Sequence, residues 1–465
     1  MNRLRVKLIA FIAVLALLVP AYMPAGAFAA ANVQTAQTLA SSEAVKVERP
    51  LISLKVKGDS ITVTVGKTEN AKSYKVFCKV YGGAKYTLAG KIGKDGRAKR
   101  TFVIKGLEAG RYQVRVRAFN GKTSSKFSKV KTAVVSAADG THSEILSYWN
   151  DDAPAKKAIV SYMKAITKEG GKDYIPAERR IAVFDLDGTI VCETDPNYFD
   201  HMLLAYRVLD DPDYKDKASD FEKKVAKDII VMNETGYADD DMEVNHGIAV
   251  ASSFKGFTPD EFYDYIAEYK KTPMRSYRGM TLGEAFYKPM LQIVEYLKAN
   301  DFTVYIVSGT DRFIVRGLIK DSALDIPFNQ IIGSDETLVS DHQNGKDGLE
   351  YVFTDKDKVV FGGEFIVKNL KMNKVTVIAQ EIGLQPVLSF GNSTGDSSMA
   401  EYVTTKNPYR SLAFMLCCDD IARENGNIEK ADKMKSLCET YDWIPVSMRN
   451  DWTTIYGDEV MKITN

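Results

Sequence analysis

The chain has 465 residues, too many for one hydrophobic core, so two or three domains are expected. Hydrophobic residues make up 45% and charged residues 26% of it, which excludes a chain disordered throughout. The net charge of +1 hides an asymmetry: residues 45–137 carry 22 Lys and Arg against 5 Asp and Glu, whereas the rest, with Arg3, Arg5 and Lys7 set aside, carries 37 against 56. A basic module is joined to an acidic one.

Arg3, Arg5 and Lys7 precede the apolar run LIAFIAVLALLVPAYM, which ends in Ala27-Phe28-Ala29. A basic start, a short apolar centre and an A-x-A site form the layout of a signal peptide, residues 1–29, with the cut after Ala29. Leu8 to Val19 is short of the roughly 20 residues a membrane span requires. A secreted or envelope-associated location follows as an expectation. Cys78, Cys192, Cys417, Cys418 and Cys438 show no regular spacing, and being five they leave at least one unpaired within the chain. His142, His201, His246 and His342 lack metal-ligand spacing, which argues against a zinc site.

The basic module, residues 45–137, reads as all-β: SITVTV, SYKVFCKV, RTFVIKGL and RYQVRVRAF are short alternations separated by turn residues. In RYQVRVRAF, a period of two puts Arg111, Gln113, Arg115 and Arg117 on one face, with Tyr112, Val114, Val116 and Phe119 near or on the other. The segment GLEAGRYQVRVRAFNGKTSSKFS resembles the end of a fibronectin type III domain. That resemblance implies an immunoglobulin-like sandwich with Leu107 and Tyr112 as its leucine and corner tyrosine, although ITVTV lacks the early tryptophan. So basic a surface is expected to adhere to polyanions, an anionic cell-wall polymer or lipid surface for an exported protein, and to let go in salt. The absence of interleaved stacking aromatics argues against single-stranded nucleic acid.

From residue 142 to 465 the pattern changes to α/β. The runs IAVF, TVYIVS and VLSFG read as buried strands, with amphipathic helical stretches such as KPMLQIVEYLKAND between them, which predicts a parallel sheet covered on both faces. Ligands of such sheets sit at the carboxyl ends of strands. Three of those ends carry polar groups: Asp185 and Asp187 in IAVFDLDGT, Ser308-Gly309-Thr310 in TVYIVSGT, and Asn392 and Asp396 in VLSFGNSTGD. Lys374 opens the stretch KVTVIAQEI, with Asn373 as its expected cap and Gly383 as its stop.

Each piece alone is commonplace, but together and in this order they resemble the haloacid dehalogenase superfamily of phosphotransferases, with its DxDGT, strand-ending Ser or Thr, lysine and acidic motifs. The likeness extends to an exported, phosphoserine-phosphatase-like subgroup through SYWNDDAPAKKAIVSYM, FGNSTGD, CCDDIARENGN and WIPVSMRNDW, and covers roughly Ser143 to Ile455. It implies a Rossmann-like core and an Mg²⁺-dependent phosphomonoesterase acting on small phosphoesters. Asp185 would be the nucleophile that becomes an aspartyl-phosphate, and Asp187 the general acid and base. Ser308, Gly309 and Lys374 would hold the phosphate, with Lys371 as the alternative lysine. Asp185, Asp187, Asn392 and Asp396 would make the oxygen-rich site that Mg²⁺ prefers. Many relatives carry aspartate at the position of Asn392, but the exported subgroup has asparagine.

About a hundred residues separate Thr189 from the helix before Ser308. YFDHMLLAYRVL, DFEKKVAKDIIVM and PDEFYDYIAEYKK have helical spacing, so an α-helical cap is expected over about 195–295. Within Cys192-Glu193-Thr194, Glu193 resembles the phosphoserine phosphatase glutamate that faces a substrate ammonium. It implies a cationic leaving group such as an amino alcohol or choline, set against the reading that Glu193 pairs with a neighbouring base. Asp419, Asp420 and Arg423 resemble subgroup residues without an assigned role. The competing function is an envelope-binding protein with a silent phosphatase-like domain.

Overall fold

The computed structural model describes residues 46–81, 85–93, 100–107, 110–135 and 142–463; the expected signal at 1–29 lies outside them. The basic module forms eight strands: β1 (Ile52–Lys57), β2 (Ser60–Val65), β3 (Ser73–Val80), β4 (Thr87–Ile92), β5 (Thr101–Ile104), β6 (Gly110–Asn120), β7 (Thr123–Ser124) and β8 (Lys131–Val135). One sheet runs β1-β2-β5; the other runs β4-β3-β6-β7, with β8 also on β6. Both contribute to one core, in which Ile61, Val63 and Val65 meet Val76, Val114 and Val116.

Strand β6 alternates as expected up to Val116, but the inward residue after it is Ala118, and Phe119 lies on the arginine face with Lys75 Nζ 4.7 Å from its ring centre. That face is not bare charge. Arg111 lies 3.7 Å from the ring centre of Tyr81, and Arg115 lies 3.9 Å from Tyr86 and 4.0 Å from Phe127. Guanidinium planes cover aromatic faces well because they are flat and weakly hydrated.

The α/β part opens with α1 (Pro154–Ile166), whose proline occupies the first turn, where no backbone N–H is needed. Next come β9 (Ile181–Phe184), α2 (Phe199–Leu209), α3 (Asp220–Thr235), α4 (Met242–Ser253), α5 (Pro259–Tyr269), β10 (Tyr277–Arg278), α6 (Lys288–Ala299), β11 (Thr303–Asp311) and α7 (Arg312–Ile319). The antiparallel pair β12 (Ile331–Ser340) and β13 (Val359–Val367) follows, then α8 (Met372–Val377), β14 (Leu388–Gly391), α9 (Ser397–Thr404), β15 (Leu412–Cys417), α10 (Ile428–Tyr441) and β16 (Ile444–Ser447).

The main sheet has the order β13-β12-β11-β9-β14-β15-β16 and is parallel except at its β12–β13 edge. Every residue of β9 is buried, because both faces are covered: Ala182 and Phe184 enter one apolar cluster and Val183 the other. Phe184, Phe390 and Phe414 stack across three neighbouring strands, with centroids 4.2 and 4.9 Å apart. Strand order reverses at β9, since the chain continues to β11 on one side and to β14 on the other. That makes its carboxyl end the crevice of an open α/β sheet.

Helices α2 to α5 form the insertion expected as a cap, capped in turn by Ser219 with Glu222 and by Thr258 with Glu261. Its far limit falls earlier than expected, because α6 packs on β11 and belongs to the sheet. The insertion is tied to the sheet edge: Gly256 N donates to Phe361 O at 2.8 Å, and Phe361 N donates to Phe257 O at 2.9 Å.

Residues 46–465 form one compact unit. Arg111 on β6 grips Glu295 on α6, with Nε 2.9 Å from Oε1 and a second bond through Nη2. Burial pushes the Glu295 carboxyl up, and the Arg111 charge partly offsets it. All five cysteines are free thiols, four of them buried. No described helix is long and apolar enough to cross a membrane.

Candidate active site

The turn after β9 is built for a close approach. Gly188 has φ +70, and a Cβ there would stand 1.9 Å from Asn392 Nδ2 and 2.5 Å from the Glu193 carboxylate. Only glycine accepts both the conformation and the contact. The turn brings Asp185 and Asp187, each 7% exposed, to the floor of a cleft of about 430 Å³. Its walls come from the sheet through Gly309, Thr310, Asn392 and Asp396, and from the insertion through Tyr198, Asp200, His201 and Glu243.

Lys374 lies beneath this floor with no exposed surface. Its Nζ is 2.7 Å from Asp185 Oδ1 and 2.6 Å from Asp396 Oδ1. Helix α8 begins two residues before the expected start, with Lys371 rather than Asn373 as its cap, so Lys374 belongs to the first turn and Lys371 stays exposed. The helix then widens into a π turn over Ile378–Ile382 and stops at Gly383, φ +70. Burial alone would pull the Lys374 ammonium down, but the two carboxylates outweigh it and hold it up. Burial pushes Asp185 up to about 7, helped by the charge of Asp396 and opposed by Lys374.

Asp187 lies in a different setting. Thr310 Oγ1 donates to its Oδ2 at 2.8 Å, while its Oδ1 is buried without a partner. Burial, with the charges of Asp200 and Asp185 added, pushes its carboxyl well above the usual range. Two carboxyls two residues apart thus differ in their partners: one sits against a lysine, the other against a threonine hydroxyl.

Both oxygens of Asp396 are engaged. Its Oδ1 takes the lysine, and its Oδ2 accepts from the backbone N–H of Asn392 and Ser393 at 3.0 and 3.1 Å. It fixes the loop after β14, and its Oδ1, which meets one donor, keeps a lone pair for a metal. Asn392 Nδ2 donates to Glu193 Oε2 at 3.0 Å, which turns the amide oxygen away as a free acceptor. The other Glu193 oxygen meets Lys430 Nζ, on α10, at 3.1 Å. Glu193 is therefore paired with a base instead of offering an unmatched carboxylate to a substrate cation. Its loop is held by the buried Glu424, which accepts from Thr194 Oγ1 at 2.7 Å.

Ser308 stands near the end of β11. It is fully buried, its Oγ accepts from Thr310 N at 3.0 Å, and the cleft wall at this strand end is made by Gly309 and Thr310. Asp419, Asp420 and Arg423 lie in the C-terminal framework. Arg423 donates to the carbonyls of Met448 and Trp452, and Asp419 accepts from Ser447 and Arg449. Sequence reading missed Tyr198, Asp200, His201, Glu243 and Lys368 as cleft residues. The helical spacing of Tyr198 and His201 was the one signal that placed any of them together.

An Mg²⁺ ion fits what remains. Asp185 Oδ2, whose nearest hydrogen-bond donor is Thr189 Oγ1 at 3.4 Å, the Asp187 backbone carbonyl and the freed Asn392 oxygen are hard oxygen donors. The carboxyl groups of Asp185, Asp187 and Asp200 are gathered on one side of the cleft, while Glu193 and Glu243 are each paired with a lysine.

Residues 182–401 match the family model described as HAD, haloacid dehalogenase-like hydrolase. A HAD-family hydrolase domain occupies that span, which contains Asp185, Asp187, Ser308, Lys374, Asn392 and Asp396. Among solved structures, a conserved functionally unknown protein from Anaerococcus prevotii DSM 20548 is 16% identical, covering 65% of this chain and 94% of its own, with a TM-score of 0.41. Cytosolic 5'-nucleotidase IIIB bound to cytidine is 12% identical, covering 65% of this chain and 88% of its own, with a TM-score of 0.40. The FN1-FN3 domains of chicken CNTN1 are 17% identical over 19% of this chain and 30% of theirs, with a TM-score of 0.17. No curated protein matches.

Proposed function

We propose that this chain is an exported, Mg²⁺-dependent phosphomonoesterase acting on small phosphoesters through Asp185. One observation carries the reading: a buried lysine bridges the carboxylates of Asp185 and Asp396 while Asp187 stands beside them with one oxygen free of hydrogen bonds. Asp185, Asp187, Asn392 and Asp396 would hold the Mg²⁺, which when bound offsets the charge of the phosphate dianion.

The steps on the protein balance simply. A lone pair of Asp185 Oδ2 forms the new O–P bond, the ester P–O bond breaks, and its electrons go to the leaving oxygen, which takes the proton of Asp187. Asp187, now a carboxylate, accepts a proton from water. The hydroxide oxygen attacks phosphorus, the acyl-phosphate bond breaks, and phosphate leaves with Asp185 restored. Lys374 is a positioning residue here: its charge favours the ionised form of Asp185 against burial, and its bond to Oδ1 leaves Oδ2 toward the reacting side. Gly309 and Thr310 provide the wall at the end of β11.

Glu193, neutralised by Lys430, orients the Asn392 amide, so the reading no longer includes a cationic leaving group. The amino-terminal module is proposed as a fibronectin type III-like sandwich at about 45–137, attached to a hydrolase domain at 142–465. Its basic surface would retain the protein on anionic cell-wall polymer or lipid after export.

The test is phosphate release from p-nitrophenyl phosphate with Mg²⁺ and with chelator, for the wild type and Asp185→Asn. Activity is expected only for the wild type with the ion. Turnover by Asp185→Asn at the wild-type rate overturns the reading.

A further inference from the structure

At the wall of the cleft, the insertion brings together three side chains that make or break no bond in the chemistry above. Asp200 and His201 stand in the first turn of α2, and His246 on α4 faces them; all three are 2% exposed. One ligand-capable atom from each lies within 4.8 Å of the other two. The imidazole centroids are 4.2 Å apart, and His246 Nε2 is 3.9 Å from Asp200 Oδ2.

What singles this group out is its unmet hydrogen bonding. His201 Nδ1 and both ring nitrogens of His246 are buried and meet no partner within full hydrogen-bond geometry, the nearest backbone group to His246 being that of Asp200. Asp200 Oδ1 is taken by the His201 N–H at 2.8 Å, which leaves Oδ2 toward the imidazoles. A buried polar atom left unpaired costs about 1–3 kcal/mol, and such groups in a native protein call for an unseen partner. Burial keeps both imidazoles below their usual range, hence neutral with lone pairs available. The one nearby cation, Lys368, is engaged by Glu243 at 3.1 Å.

We infer that Asp200, His201 and His246 form a second metal site, distinct from the Asp185 centre, that takes a divalent transition ion of the zinc class. Two imidazoles and one carboxylate are the donor set such ions prefer and Mg²⁺ does not. Ligands about 2.0–2.2 Å from a tetrahedral ion lie roughly 3.5 Å from each other, so the pair at 3.9 Å needs to close by a few tenths of an ångström and the rest, all within 4.8 Å, by about 1 Å at most. The third preference of such an ion, an open position for water or ligand, is met by the cleft that Asp200 and His201 line. The site also ties α2 to α4, so the ion would brace the roof of the cleft.

The inference is separable from the phosphatase reading. Full-length protein is stripped with a strong chelator, reloaded with Co²⁺, passed through gel filtration in excess Mg²⁺, and examined by elemental analysis and visible absorption. About one equivalent of Co²⁺ with d–d bands of a low-coordinate nitrogen and oxygen site is expected, retained in Asp185→Asn and lost in His201→Ala and His246→Ala. His246→Gln, closer in volume and checked for folding by circular dichroism, gives the same loss. The inference is overturned if no ion survives excess Mg²⁺, if the folded histidine variants keep it, or if His342→Ala removes it instead, which would assign the ion to the exposed Asp341, His342 and Asp357 group.

Discussion

The arginine face of β6 and the acidic floor behind β9 are both concentrations of one sign of charge, and they are resolved in opposite ways. On β6 the guanidinium groups of Arg111 and Arg115 lie over Tyr81, Tyr86 and Phe127, and Arg111 also meets Glu295. Flat cations, ring faces and nearby solvent let that surplus exist at small cost. At the floor, Asp185, Asp187 and Asp200 are withdrawn from water, and the one lysine beneath them reaches only Asp185 and Asp396. Surplus charge on a sandwich face is compatible with no function at all. Surplus charge that burial leaves unmatched calls for a ligand.

The largest effect that tests this contrast comes from Lys374→Met. It strands two buried carboxylates, so a loss of about 3–5 kcal/mol in chemical denaturation is expected, with phosphate release abolished. Adding Asp396→Asn to it should recover part of the stability and none of the activity. If Lys374→Met is neutral, the lysine does not balance the floor.

Glu193→Gln comes next. Freed from its carboxylate, the Asn392 amide can turn, and an increase of about tenfold in the Mg²⁺ concentration needed for half-maximal rate is expected, at unchanged thermal stability. An unchanged Mg²⁺ requirement would separate Glu193 from Asn392.

A third buried acid permits a pH test away from the floor. Burial, with Asp311 and Asp335 nearby, pushes Glu336 up to about 9. A group raised in the folded state stabilises fully below its unfolded value, and that contribution is lost as pH climbs toward the folded one. Glu336→Gln should therefore gain on the order of 1–3 kcal/mol at pH 8 and nothing near pH 4, read as thermal midpoints. The smallest effect is expected for Arg115→Ala, about 1 kcal/mol or less, with weaker retention on anionic vesicles at low salt. Retention that ignores salt would refute adhesion by charge.

The sheet was legible because its strands obey simple periods: IAVF is apolar throughout since both faces are covered, and RYQVRVRAF alternates since one is. Asp185 and Asp187 were legible as a pair because a strand end and a glycine turn are local features. What stayed hidden depends on contacts across the chain. Lys430 arrives at Glu193 from 237 positions away, and His201 meets His246 across 45 positions by the packing of two helices, so spacing rules for metal ligands could not register either. The Thr310 N–H that Ser308 Oγ accepts could not be read from the strand alone. Phe119 was misplaced by one step in a period of two, enough to move it to the opposite face.

The bonds of Phe361 to Gly256 and Phe257 have a consequence for motion. The ring of Phe361 also packs on Phe262 of the insertion and Phe313 of the sheet domain, and Phe365 lies against Gly247. Roof and sheet edge share one strand, so lifting the insertion at this edge would break backbone pairing and an aromatic cluster together.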